Sequence, residues 1–164
     1  MFTNSKRWRH FAAMALIGDG VMALFGPDVS ARAACRQALT AAFLMSTRMV
    51  ALNQALAPEI DVPLRIGLGI HFGPAIVGEM GYGRTISLTA VGDSVNTASR
   101  LEALAKSFDC ELVVSEDLVA AADVEIGSAP CVEVQIRGRR VPLIIRKLKS
   151  ARDLPQAAVS GISG

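Results

Sequence analysis

Asn96 and Arg100 stand four residues apart in the run Val91-Gly92-Asp93-Ser94-Val95-Asn96-Thr97-Ala98-Ser99-Arg100-Leu101-Glu102. On a helix that spacing puts an amide and a guanidinium on one face. The pair suits a phosphate or ribose ligand, because a guanidinium is always charged and forks onto phosphate oxygens. The same spacing also occurs on plain solvated helices, so it leaves both readings open. Asp19, between Gly18 and Gly20, is placed to project a carboxylate from a tight turn, or simply to make the turn. Thr89 carries a hydroxyl that both donates and accepts, though a β-branched residue in a strand needs no such role. Arg137 and Arg139 belong to a local basic excess with Arg140, Arg146, Lys147 and Lys149. That excess suits phosphate, or it guards a strand edge from aggregation. His71 lies in Gly69-Ile70-His71-Phe72-Gly73 with no acidic neighbour in sequence, so no general-base role is read for it.

These side chains need elements to hold them. Val95, Ala98, Leu101, Ala105 and Phe108 recur at three- or four-residue steps and predict an amphipathic helix to about Phe108. The apolar runs Met14 to Ile17 and Val21 to Phe25, across Gly18-Asp19-Gly20, predict a hairpin. Gly26-Pro27 closes it, Ser30 is an N-cap, and a long helix runs from Ala31 to about Leu56, ended by Pro58. Leu64 to Phe72 reads as a strand whose Gly67 and Gly69 mark a close backbone approach. Gly73 to Gly83 reads as a loop or hairpin connection, and Thr85 to Val91 as a strand. Glu111 to Ser115 is a further strand and Glu116 to Ala122 a short helix. Cys131 to Ile136 and Val141 to Leu148 form a terminal hairpin across Arg137-Gly138-Arg139-Arg140. The tail after Ser150 is small and polar and is expected to be mobile. Helices alternate with strands and hairpins, which predicts an α+β sandwich. Several connections are too short for the crossovers of a doubly wound sheet.

A chain of 164 residues, 51% hydrophobic and 20% charged, supports one globular domain with a real core. Its net charge of +2 makes no case for nucleic-acid binding. Cys35, Cys110 and Cys131 are odd in number and lack metal-ligand spacing, which predicts reduced thiols in a cytoplasmic protein. No uncharged apolar run approaches the roughly 20 residues that span a bilayer. The polar, basic start from Met1 to His10 has no signal-peptide centre.

Three runs occur in order: Gly18-Asp19-Gly20-Val21-Met22-Ala23-Leu24-Phe25-Gly26, then Gly69-Ile70-His71-Phe72-Gly73, then Gly92 to Glu102. That succession resembles the catalytic domain of bacterial-type class III adenylate and guanylate cyclases, over roughly Leu16 to Leu148. The resemblance implies a ferredoxin-like α/β sandwich, and head-to-tail dimers with active sites at the interface. It implies in-line attack of the ribose 3′-oxygen on the α-phosphorus, giving a cyclic 3′,5′-monophosphate and pyrophosphate, with two Mg²⁺ (or Mn²⁺) ions per site. By similarity, Asp19 is one of two metal-holding carboxylates, Asn96 orients the ribose, and Arg100 stabilises charge around the α-phosphate. Thr89 lies where the family reads the purine, and a threonine there resembles the adenylate-forming members, so ATP is expected over GTP. Arg137 and Arg139 fall where the family has lysines near the leaving pyrophosphate.

Two departures stand out. The family holds a first metal aspartate in a strand upstream of the hairpin, yet none of Met1 to Gly18 is Asp or Glu. Ala15 occupies a position where the family commonly has an adenine-contacting lysine. The expected organisation is therefore an unmatched segment over 1–13, a partial cyclase domain over 14–149 and a mobile tail over 150–164. The first strand and helices are expected to be missing through truncation, uncovering part of the sheet as an apolar patch or edge. The leading functional expectation is an adenylate cyclase domain in intracellular cyclic AMP signalling, homo- or heterodimeric, with no nucleic-acid or membrane partner. The alternative is a catalytically incomplete domain that dimerises with an intact subunit and supplies Asn96 and Arg100 to it. A third is an unstable remnant without function.

Overall fold

The computed structural model describes residues 6–15, 21–26, 28–82 and 85–159, with side chains except over 6–15 and 79–89. Its elements in chain order are β1 Lys6–Ala15, β2 Met22–Phe25, α1 Ala31–Leu56, β3 Leu68–Tyr82, β4 Thr85–Val91 and α2 Asp93–Ser107. There follow β5 Leu112–Ser115, α3 Glu116–Ala122, β6 Cys131–Val134, β7 Leu143–Leu148, a 3₁₀ turn Ala151–Asp153 and α4 Gln156–Val159. The expected α+β architecture is what forms: one sheet in the order β2-β1-β3-β5-β7-β6, with β4 paired to β3 beside that path.

β3 is the spine. β1 runs antiparallel along one edge, from Ala15 opposite Gly69 to Lys6 opposite Val77. The other edge takes parallel β5 at Leu68–Ile70, then antiparallel β4 from Ile76 to Tyr82. Alternation along the strands sends side chains to two cores. Leu68, Ile70, Leu112 and Val114 pack with Cys35, Ala38, Leu39 and Ala42 of α1 and with Leu118 of α3. Val113 and Ile145 face the other way, onto Leu101 and Ala105 of α2. β5 is therefore buried on both faces, as its unbroken apolar run requires. Each fully buried Leu, Ile or Val contributes about 1.5–3 kcal/mol against the ordering entropy of the chain.

Three expectations are corrected. The first strand begins at Lys6, well before Met14, and β1 lies between β2 and β3. β3 is thus paired along both flanks, because backbone donors and acceptors along a strand are satisfied best by a neighbour on each side. The glycine-rich stretch from Gly73 continues β3 to Tyr82; seven backbone pairs with β4 hold it extended despite its glycines. The tail expected to be mobile folds back on α1 over its described part. Ala151, Leu154 and Ala158 are buried in the α1 core, and Ser150 and Asp153 close a capping box. Arg36 of α1 locks this corner, donating to the carbonyls of Ala122 (2.9 Å), Asp123 (2.9 Å) and Ala157 (3.1 Å).

Candidate functional site

α2 carries the Asn96–Arg100 pair, and its seat on the sheet is set by glycine. A Cβ on Gly69 would lie 2.2 Å from the Glu102 amide nitrogen and 2.3 Å from the Ala98 carbonyl oxygen. The helix backbone therefore rests directly on β3, the close approach read from the sequence. One turn earlier, Ser94 Oγ donates to the Pro74 carbonyl (2.8 Å) and fixes the helix start. Ala98, Leu101 and Ala105 face inward as the periodicity predicts, with Val95 and Phe108 partly buried. The opposite face leaves Asn96 exposed and Arg100 half-buried.

Arg100 reaches the loop between β6 and β7. Its Nη1 donates to the Arg137 carbonyl and lies 3.5 Å from where a Cβ on Gly138 would sit. The loop is braced internally, with the Arg139 amide donating to the Ile136 carbonyl (3.0 Å) and Gln135 Nε2 to the Arg139 carbonyl (2.9 Å). Arg139 points inward to His71, so the fold gathers Arg100, Arg137 and Arg139 from two distant segments. Arg139 and Arg140 border a cleft of ≈ 510 Å³ with His71, Gly73, Asp93, Ser94 and Asp117.

The rest of the basic excess is committed elsewhere. Arg146 makes a bidentate pair with Glu116 (2.8 and 3.1 Å), which holds that carboxyl below its ordinary range. Lys149 pairs with Asp109 (3.2 Å), and Lys147 lies 4.8 Å over the Phe108 ring. Arg137, Arg139 and Arg140 make no ion pair with a carboxylate among the described residues. Arg137 and Arg140 are exposed, and Arg139 meets the His71 ring instead.

Thr89 lies on β4 opposite Gly78 of β3, and its side chain is outside the described residues. Asp19 is wholly outside them. Among the described residues no three His, Cys, Asp or Glu side chains gather as a metal site. The three cysteines are unpaired, Cys35 and Cys110 buried and Cys131 exposed. No helix among the described residues is long and apolar enough to cross a membrane.

His71, for which the sequence suggests no general-base role, is buried behind this loop. It is only 2% exposed, with Nδ1 2.8 Å from Ser115 Oγ and Nε2 3.4 Å from Arg139 Nη1. Burial first, and then the Arg139 charge, bring its pKa down to about 4, so the ring is neutral at pH 7. The period-two spacing of Gly69, His71 and Gly73 was the available signal: all three face α2.

The sequence matches the family described as adenylate and guanylate cyclase catalytic domain over residues 4–145. It is 36% identical over 107 residues to an adenylate cyclase of Anabaena cylindrica, covering 63% of this chain and 20% of that protein. It is 31% identical over 128 residues to adenylate cyclase 1 of Rhizobium meliloti (strain 1021), covering 78% of this chain and 19% of that protein. The chain thus spans about a fifth of the length of these two relatives. The adenylyl cyclase CyaB from P. aeruginosa superposes with a TM-score of 0.73 at 21% identity, over 93% of this chain and 100% of that one. The guanylyl cyclase Cya2 gives 0.74 at 18% identity, over 95% and 96%. Those two likenesses speak for the fold, and the sequence match over most of the chain goes further: this chain belongs to the adenylate and guanylate cyclase catalytic-domain family.

Proposed function

We propose that this chain is an adenylate cyclase domain that forms 3′,5′-cyclic AMP and pyrophosphate from ATP. The observation that carries the reading is the meeting of Arg100 with the Arg137–Arg139 loop, beside Asn96 one helical turn away. Arg100 and Arg139, each held by a hydrogen bond, with exposed Arg137 and an amide, suit a triphosphate ester whose reaction is mostly positioning and charge neutralisation. In this reading Asn96 orients the ribose, and Arg100 draws the charge that builds on the α-phosphate oxygens. Arg137 and Arg139 hold the departing pyrophosphate, and Thr89 hydrogen-bonds the adenine edge.

Two Mg²⁺ or Mn²⁺ ions per site, with Asp19 as one ligand, are what the family resemblance implies. Asp19 would hold such ions and they would neutralise phosphate charge; it lies outside the described residues, among which no three His, Cys, Asp or Glu side chains gather. The relatives' names support ATP over GTP, and in this reading the domain works as a dimer in the cytoplasm. The test is conversion of Mg-ATP or Mn-ATP to cyclic AMP by purified chain. Arg100→Ala is expected to lower the rate by about 10²–10³-fold, as loss of one transition-state donor does. No turnover at high concentration of folded chain would remove the reading for the chain alone.

A second reading rests on the same assembled cationic half, Arg100 against the β6–β7 loop. The domain then acts as a dimerisation partner that lends Asn96 and Arg100 to an intact subunit. Mixing it with a cyclase subunit mutated at its own asparagine and arginine restores activity if so, and restores nothing otherwise.

A further inference from the structure

His71 takes part in none of these steps, yet it forms the inner wall of the cleft below the loop arginines. Gly69, His71 and Gly73 lie on one face of β3. A Cβ on Gly73 would come within 2.4 Å of Ser94 Oγ and 3.4 Å of His71 Nε2, so glycine there leaves the Nε2 edge of the ring open toward the cleft. Arg139 Nη1 stands at that edge, 3.4 Å away. A guanidinium has only donors, so Nε2 must present its lone pair and the ring proton must sit on Nδ1. Nδ1–H then donates to Ser115 Oγ at 2.8 Å. The same oxygen accepts the Leu118 amide at 3.3 Å as the N-cap of α3. A directional chain results, from Arg139 through His71 and Ser115 to the first turn of α3.

We propose that His71 is a positioning residue, which as its Nδ1–H tautomer accepts from Arg139 and holds that guanidinium at the cleft to receive the leaving pyrophosphate. The inference rests on the reading of Arg139 as a phosphate contact. A histidine that merely filled space would need no acceptor at Nε2, and an aliphatic side chain would serve as well. The groups facing the ring agree with an acceptor role. Arg139 and Arg140 come from the loop, while the exposed carboxylates Asp93 of α2 and Asp117 of α3 border the cleft; the ring's hydrogen-bond partners among the described residues are Ser115 and Arg139. Burial that keeps the ring neutral keeps the Nε2 lone pair available. A protonated ring would offer Arg139 a second donor and a like charge.

The first test uses the unaltered chain labelled with ¹⁵N. Long-range ¹H–¹⁵N correlation at pH 7 is expected to find Nδ1 protonated and Nε2 bare; a proton on Nε2 overturns the inference. The second measures calorimetric binding of inorganic pyrophosphate to Arg139→Leu, His71→Leu and His71→Gln, each checked by its melting curve. Arg139→Leu and His71→Leu should each weaken binding ~10-fold, the double variant little more, and His71→Gln should recover most of it through its amide oxygen. If Arg139→Leu binds pyrophosphate like the unaltered chain, the phosphate reading fails and this inference with it. If Arg139→Leu loses binding and folded His71→Leu keeps it, the positioning role alone is refuted. Should a leucine variant fail to fold, the tautomer decides.

Discussion

Gly69→Ala tests what seats the functional helix. The added methyl would stand 2.2 Å from the Glu102 amide nitrogen, 2.3 Å from the Ala98 carbonyl oxygen and 2.8 Å from the Glu102 Cα. All three are backbone atoms of α2, so no rotamer change removes the clash. Carbon contacts settle near 3.5–4.0 Å, so the helix must retreat by roughly 1 Å or more. Such a gap forfeits a quarter to a half of the dispersion energy along the Ala98, Leu101 and Ala105 face. The expected loss is about 3 kcal/mol, at the upper end for overpacking, or a Tm lower by roughly 6–12 °C for a chain of this size. The retreat also carries Asn96 and Arg100 away from the β6–β7 loop, and a displacement of about 1 Å can cost ~10²-fold in turnover. Gly127→Ala is the control: its φ is +51°, with no atom within 4 Å of the new Cβ, so it loses only about 1–2 kcal/mol to backbone strain. Urea melts of both variants provide the comparison. If Gly69→Ala melts no lower than Gly127→Ala, close approach is not what fixes α2.

Arg36→Ala removes three charged hydrogen bonds, to carbonyls at the end of α3, at its C-cap Asp123 and in α4, and should cost about 2 kcal/mol. Limited proteolysis should then cut near residues 156–159 faster than in the unaltered chain, and an unchanged cleavage rate would count against the clamp. His71 has a folded pKa of about 4 against an unfolded value near 6.5, so the unfolded state binds the extra proton between them. Stability should therefore fall as pH drops from about 6.5 towards 4, by up to about 3 kcal/mol, and His71→Gln should flatten that limb of the melting profile. Glu116 behaves as a lowered acid: its pair with Arg146 stabilises above the ordinary carboxylate range and is lost as pH falls through the lowered folded value. Because the pair is partly exposed, Glu116→Gln should cost less than about 1 kcal/mol at pH 7 and nothing once the carboxyl is protonated.

Elements whose ends are marked by local chemistry were legible in the chain. Ser30 caps α1 by accepting the Ala33 amide (3.2 Å), and Ser115 caps α3 in the same way. Both helices run over the residues that periodicity and capping predict. The true length of β3 was hidden, because glycines after Gly73 carry a loop signal and only pairing with β4 overrides it. The C-terminal segment misled for a related reason. Ala151, Leu154 and Ala158 are too few and too small to show periodicity, and only the α1 surface gives them a place to be buried.

The same division runs through the candidate site. Helical geometry alone puts Asn96 and Arg100 on one face, since a four-residue step is nearly one turn whatever the surroundings. Gly69 likewise announced a close contact before its partner was known. Nothing local could bring Arg137 and Arg139 to that helix, or set His71 against Arg139. Those meetings depend on β3, β5 and β7 lying in one sheet and on hydrogen bonds across distant parts of the chain. Periodicity encodes which residues share a face; only the packed sheet decides which faces meet.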